Sequence, residues 1–221
     1  MIIAIDAVVS SILIAAGYVY TCYYLNGVHW KSRNTEVLRL RRNRILYLVF
    51  AALTTAVLIC LFYTVYRMEV IQSIKLLCLV EILFPIGAID FRLQKIPNQI
   101  LLTAVIIRGV LYIPEFISSP ATGFLILKDN LVGAAVIGIF FFLLFLVFKN
   151  SIGMGDIKLF AVMGLYQGLW GAVNSVFFSL VVSFVLSVGL LITRKKGRKD
   201  TIPFGPSILI GTAIAIGLAG M

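Results

Sequence analysis

Long apolar stretches separated by short polar breaks run the length of the chain. Eight of them approach the length that crosses a bilayer, at about 3–25, 45–66, 70–89, 99–117, 129–148, 157–173, 175–193 and 205–220. A hydrocarbon core of about 30 Å calls for roughly 20 helical residues. Lipid offers the backbone no hydrogen-bond partners, so each stretch is expected to be a helix. The sixth and eighth are short and glycine-rich, and are expected to be tilted, broken or re-entrant. The expected fold is all-α, a polytopic transmembrane helix bundle of about eight spans forming one domain over residues 1–221.

Composition agrees with this pattern. The 221 residues are 61% hydrophobic and 13% charged, with a mean hydropathy of +1.07. Soluble domains are nearer about 45–50% apolar. The first apolar run has no basic residues before it and is about 22 residues long, too long for an ordinary signal-peptide core. It reads as an anchor with its N-terminus outside. Cys22, Cys60 and Cys78 all fall inside apolar runs and form no CxxC pair, so they read as small buried side chains rather than a zinc or disulfide set.

The net charge of +10 would suggest nucleic acid in a soluble protein, but its placement gives another reason. Lys31, Arg33, Arg39, Arg41, Arg42 and Arg44 lie in segment 26–44, a short basic loop. Arg92 and Lys95, then Lys149 and Lys158, then Arg194, Lys195, Lys196, Arg198 and Lys199 occupy every second connection after it. Fifteen of the 19 basic residues thus share one face, which the positive-inside rule makes cytoplasmic. Eight spans then put both termini outside. The expected partner of these loops is membrane lipid, with no nucleic acid.

Acidic residues at that same face carry the chemistry. Asp90 closes the third span in Ile89-Asp90-Phe91-Arg92-Leu93-Gln94-Lys95-Ile96-Pro97-Asn98, where Pro97-Asn98 reads as a turn opening the fourth helix. Asp156 opens the sixth in Gly153-Met154-Gly155-Asp156-Ile157-Lys158-Leu159. A carboxylate next to hydrocarbon is costly and needs a reason. Asp156 also reads as a helix cap at a positive dipole end, and Asp90 as an interface marker beside Arg92 and Lys95. Gly153 and Gly155 would let another backbone approach Asp156. A third break, Thr201-Ile202-Pro203-Phe204-Gly205-Pro206, opens the final span on that face with two prolines that impose a non-helical entry.

Together these three segments resemble the type IV prepilin peptidases, a family of GxGD intramembrane aspartyl proteases. The ordered D-x5-IPN, GxGDxKL and IPFGP patterns carry the resemblance, which covers roughly the last two-thirds of the chain. It implies that Asp90 and Asp156 are a catalytic pair. The implied activity is an aspartic endopeptidase that removes the basic leader of type IV prepilins or pseudopilins at the cytoplasmic face of a bacterial inner membrane. Two carboxylates suit amide hydrolysis, one ionised to activate water and one protonated to donate to the carbonyl oxygen. They titrate as a pair. No metal and no cofactor are expected. Pro97, Asn98, Gly153, Gly155, Lys158, Pro203, Phe204, Gly205 and Pro206 are expected to shape the site, with Lys158 either favouring the anionic form of the pair or snorkelling. His29, in the basic segment, is expected to be interfacial.

Many larger members of that family carry a zinc-binding segment with paired CxxC motifs after the first span, and they N-methylate the new terminus. Segment 26–44 stands in that place and has no cysteine, so a peptidase without the zinc module is expected. Glu81 and Arg108 fall at similar depth in the third and fourth spans and are expected to pair, with Pro85 kinking the third span. Gly133, Ala134, Ala135 and Gly138 permit close helix approach, for internal packing or for a substrate helix. Two other readings stay open. One is an archaeal preflagellin peptidase, which shares the aspartate motifs. The other is a small membrane transporter or channel with Glu81, Arg108, Asp90 and Asp156 along a polar path.

Overall fold

A computed structural model describes residues 2–29, 37–148, 152–193 and 203–219. They form seven helices: α1 (Ile2–His29), α2 (Val37–Thr64), α3 (Val70–Leu93), α4 (Asn98–Ser118), α5 (Pro120–Val147), α6 (Met154–Ile192) and α7 (Gly205–Ala219). Five of them contain spans long and apolar enough to cross a membrane: Ile3–Leu25, Leu46–Thr64, Asn98–Ser118, Pro120–Val147 and Met154–Ile192. The chain is therefore an all-helical, multi-pass membrane protein.

The expected count of about eight spans is not reproduced as eight separate helices. The stretches read as sixth and seventh are one 39-residue helix, interrupted at Gly168 (φ 70°, ψ −171°) rather than near residue 174. Glycine alone adopts this backbone without penalty. Beside it, α5 comes too close for any side chain: a Cβ on Gly164 would lie 2.5 Å from the Ala134 nitrogen, and one on Gly133 2.6 Å from the Gly168 carbonyl carbon. Gly133, Ala134 and Gly138 of α5 thus serve packing against α6, while Ala135 is exposed. Past the break, Ser179 meets α7, where a Cβ on Gly211 would lie 2.3 Å from its nitrogen. A straight α6 would carry Ser179 about 35 Å from Asp156 at 1.5 Å per residue. Gly211 is only about 9 Å along α7 from Gly205, so the second limb folds back.

Segment 26–44 also differs from the expected loop. α1 extends to His29 and α2 begins at Val37, because Leu38, Arg39, Leu40, Arg41 and Arg42 are good helix formers beyond the apolar boundary. Residues 30–36, Lys149 and the basic run 194–199 lie outside the described residues. Of the cysteines, only Cys78 is buried, and Cys60 is on the outer surface.

α3 is the centre of the bundle. It packs against α1, α2, α4, α6 and α7. Every residue from Leu76 to Gly87 is buried, and so are Ile89 and Asp90. A helix covered by other helices on nearly all sides can carry polar groups that lipid would reject. Pro85 sits inside α3, which continues through it.

Candidate active site

Asp90 occupies the last turn of α3 and is 6% exposed. The helix stops four residues later because Gln94 turns left-handed (φ 51°, ψ 42°), its N–H bonding back to the Asp90 carbonyl oxygen at 2.9 Å. Pro97 then holds an extended backbone (φ −68°, ψ 125°), and α4 begins at Asn98. On the other flank, the N–H of Gly205, the first residue of α7, donates to Asp90 Oδ2 at 2.7 Å. This approach needs a glycine: a Cβ on residue 205 would lie 2.8 Å from the Asp90 Cβ.

Asp156 is the third residue of α6, after an extended Gly153 (φ −74°, ψ 140°). Its N–H donates to the Gly153 carbonyl oxygen at 3.0 Å. Its half-buried side chain lies back over that glycine, where a Cβ would sit 3.0 Å from Oδ2. A Cβ on Gly155 would be 3.0 Å from the Ile96 Cβ, so this glycine lets α6 start against the connection leaving α3. The GxG spacing thus does two local jobs, one for the carboxylate and one for the neighbouring chain.

Both aspartates line one cavity of about 470 Å³. Pro97, Asn98, Gly153, Gly155 and Lys158 share its wall. The Lys158 ammonium donates to Asn98 Oδ1 at 3.1 Å, tying the start of α6 to the start of α4. Pro203, Phe204, Gly205 and Pro206 are not on the wall. Phe204 packs edge-on against Phe160 with ring centres 5.9 Å apart, and Gly205 reaches the site only through its N–H on Asp90. Thr201 and Ile202 lie outside the described residues, as does the side chain of His29. Three helix starts, those of α4, α6 and α7, converge here. Their unpaired N–H groups and positive dipole ends favour negative charge where the surrounding apolar protein disfavours it.

Gln94, Lys95, Ile96 and Met154 complete the lining from within the quoted motifs, though none is among the expected site residues, and Tyr24 joins them from outside those motifs. Tyr24 comes from α1, far along the chain; Tyr20 and Tyr24, one turn apart at the end of the first span, were the available signal. The expected Glu81–Arg108 pair does not form. Arg108 makes a bidentate pair with Glu115 at 2.9 and 3.0 Å, donates from Nε to the Leu165 carbonyl at 2.9 Å, and lies 3.8 Å over the Tyr112 ring. Residues seven apart share a helix face, so Glu115 is the nearer partner. Glu81 Oε1 accepts a hydrogen bond from Thr55 of α2. Among the described residues, no group of three or more His, Cys, Asp or Glu side chains is placed to hold a metal.

Residues 77–191 match the type IV leader peptidase family, a segment that includes both aspartates and makes up just over half of the 221 residues. The chain belongs to this family. Among its curated relatives is the prepilin leader peptidase/N-methyltransferase of Bacillus subtilis (strain 168), 26% identical over 136 residues, or 62% of this chain and 52% of that protein. The protein of the same name from Xanthomonas campestris pv. campestris is 30% identical over 133 residues, 58% of this chain and 44% of its own. That from Aeromonas hydrophila is 29% identical over 150 residues, 65% and 49%. The chain spans about half the length of the curated relatives it matches. No solved structure matches it.

Proposed function

We propose that this protein is an aspartic endopeptidase that removes the basic leader from type IV prepilins or pseudopilins, with Asp90 and Asp156 as its catalytic pair. The observation that carries the reading is that these two carboxylates, 66 positions apart in sequence, line the same cavity at one end of the bundle. One ionised carboxylate takes a proton from water as it attacks the scissile carbonyl; the other, protonated, donates to the carbonyl oxygen. The tetrahedral species collapses as its C–N bond breaks and the leaving amine takes up a proton. Two neighbouring carboxyls sharing one proton suit both roles without a metal, and they titrate as a unit. The Gly205 N–H fixes one oxygen of Asp90.

Arg92, Lys95 and Lys158 all lie at this end, which favours a cytoplasmic orientation for the cavity, in a bacterial inner membrane. The reading is confined to peptide cleavage, because segment 26–44 offers no cysteine for a zinc module. A conducting path has less support: Arg108 is closed by Glu115 and Leu165, and Glu81 is bonded to Thr55, away from the cavity.

The test is cleavage of a candidate prepilin in membranes by wild type, Asp90→Asn and Asp156→Asn. Each substitution is expected to lower the rate by about 10³-fold or more. Retained activity in both variants would sink the mechanism.

A further inference from the structure

A second cavity, of about 180 Å³, lies deeper in the apolar part of the molecule. Its floor is α3, at Glu81, Ile82 and Pro85. Ala16 and Gly17 of α1 form one wall, and Thr103 and Ile107 of α4 the other. Among the described residues α1 and α4 both pack on α3 while their backbones stay apart from each other, so the space between them is a cleft open to the side.

This cleft adjoins the carboxylate cavity without sharing a lining residue with it. Tyr20 lines the cleft and stacks on Tyr24, which lines the cavity, with ring centres 6.0 Å apart and planes within 16°. The Tyr20 hydroxyl donates to Gln99 Oε1 at 2.9 Å, bridging the two walls beside Asn98. From Asn98 to Ile107 the α4 wall runs about 14 Å at 1.5 Å per residue, close to half the thickness of a bilayer core.

We propose that this cleft holds the apolar helix of the peptide substrate, entering sideways from the membrane with its cleaved bond at the Asp90–Asp156 cavity. The inference rests on the peptidase reading and names where the substrate lies. A helix that begins next to the cleaved bond must start within about one helix diameter of the carboxylates, and the cleft begins there. Ala16 and Gly17 give a wall low enough for a second helix backbone to come close. The floor favours a peptide over an acyl chain. Glu81 is 2% exposed, and its Oε2 has no partner among the described residues. A polar side chain on a peptide helix can meet such a group, whereas a hydrocarbon chain cannot. A larger groove of about 290 Å³ between α2 and α7, lined by Val57, has no lining residue within four positions of one that lines the carboxylate cavity, whereas the cleft has Tyr20 and Ile100.

The test is site-specific photo-crosslinking in membranes. A benzophenone amino acid is placed at Ala16, Thr103 or Val57 of the Asp156→Asn protein, co-expressed with a full-length candidate prepilin. Peptide adducts at Ala16 and Thr103 but not at Val57 are expected. Adducts at Val57 alone, lipid adducts alone, or no peptide adduct at the two cleft positions would overturn the proposal. Adduct formation needs no cleavage, so a failed peptidase reading leaves this result legible. In the active protein, Thr103→Trp fills the cleft from an exposed wall position and is expected to raise KM for the full-length substrate about tenfold with kcat within about twofold. Unchanged KM would count against the cleft.

Discussion

Two regions of the bundle hold ionisable groups and treat them in opposite ways. Around Arg108 each guanidinium nitrogen has a partner: Glu115 takes two hydrogen bonds, the Leu165 carbonyl one, and the Tyr112 ring covers the guanidinium. Arg108 is 1% exposed, the largest fully buried side chain among the described residues. Around Asp90 and Asp156, no cation forms a salt bridge among the described residues; the nearby Lys158 bonds instead to Asn98. There a cavity opens, and three helix starts supply the positive field. A charge inside a membrane protein is thus no sign of a site by itself. Unpaired acid beside an open cavity is the more telling combination.

Substitution separates the two regions most sharply. At the aspartates, the amide replacements keep size and one acceptor oxygen, so the expected loss of about 10³-fold in cleavage comes with little change in thermal stability. At Arg108 the reverse is expected. Arg108→Met leaves Glu115 buried and uncompensated and should destabilise the protein by about 3 kcal/mol. The Arg108→Met/Glu115→Leu double variant should recover most of that loss, since a buried pair replaced by apolar groups is often close to neutral. Thermal unfolding in detergent reads both, and cleavage per folded molecule should stay within about threefold of wild type. A double variant as unstable as the single would mean that the pair is more than a self-contained lock.

Much of this contrast was legible in the sequence, but unevenly. Apolar runs near the bilayer length marked most of the helices, because lipid forces that periodless pattern. The Gly and Pro breaks flagged the ends of α3, α6 and α7, because those residues set backbone geometry locally. What depended on three-dimensional direction was not legible. Arg108 was read toward Glu81 by depth along the membrane, but depth says nothing about which face of α4 it occupies. The break in α6 was read near residue 174, because both limbs are apolar and only the backbone at Gly168 marks the turn. Tyr24 reaches the cavity from α1, far along the chain from either aspartate motif.

Gly205 tests how finely the open region is set. Its N–H bonds Asp90, and an alanine Cβ there would press on the Asp90 Cβ at 2.8 Å. The carboxylate or the start of α7 must then shift by a few tenths of an ångström or more. Gly205→Ala is expected to lower kcat about 10- to 50-fold, because small misplacements of a reacting group are costly. Stability should fall by no more than about 1 kcal/mol, since helix-favouring alanine offsets part of the strain. An unchanged kcat would mean that Asp90 tolerates displacement, which a catalytic carboxylate should not.

The smallest effect is expected at the rim. Lys158 is exposed, and its bond to Asn98 joins the start of α6 to that of α4. An exposed hydrogen bond of this kind contributes about 1 kcal/mol or less. Lys158→Met keeps the apolar stem and removes the donor and the charge. If Lys158 only ties the rim, kcat should fall about two- to threefold with no change in the pH dependence of cleavage. If its charge also acts on the carboxylates across the cavity, removing it favours their protonated forms. The acidic limb of the pH profile, where the required anion is lost, should then move to higher pH. Measuring kcat/KM against pH for the two proteins separates these outcomes. A shifted limb would make Lys158 an electrostatic partner of the pair, and an unshifted limb would leave it a structural tie.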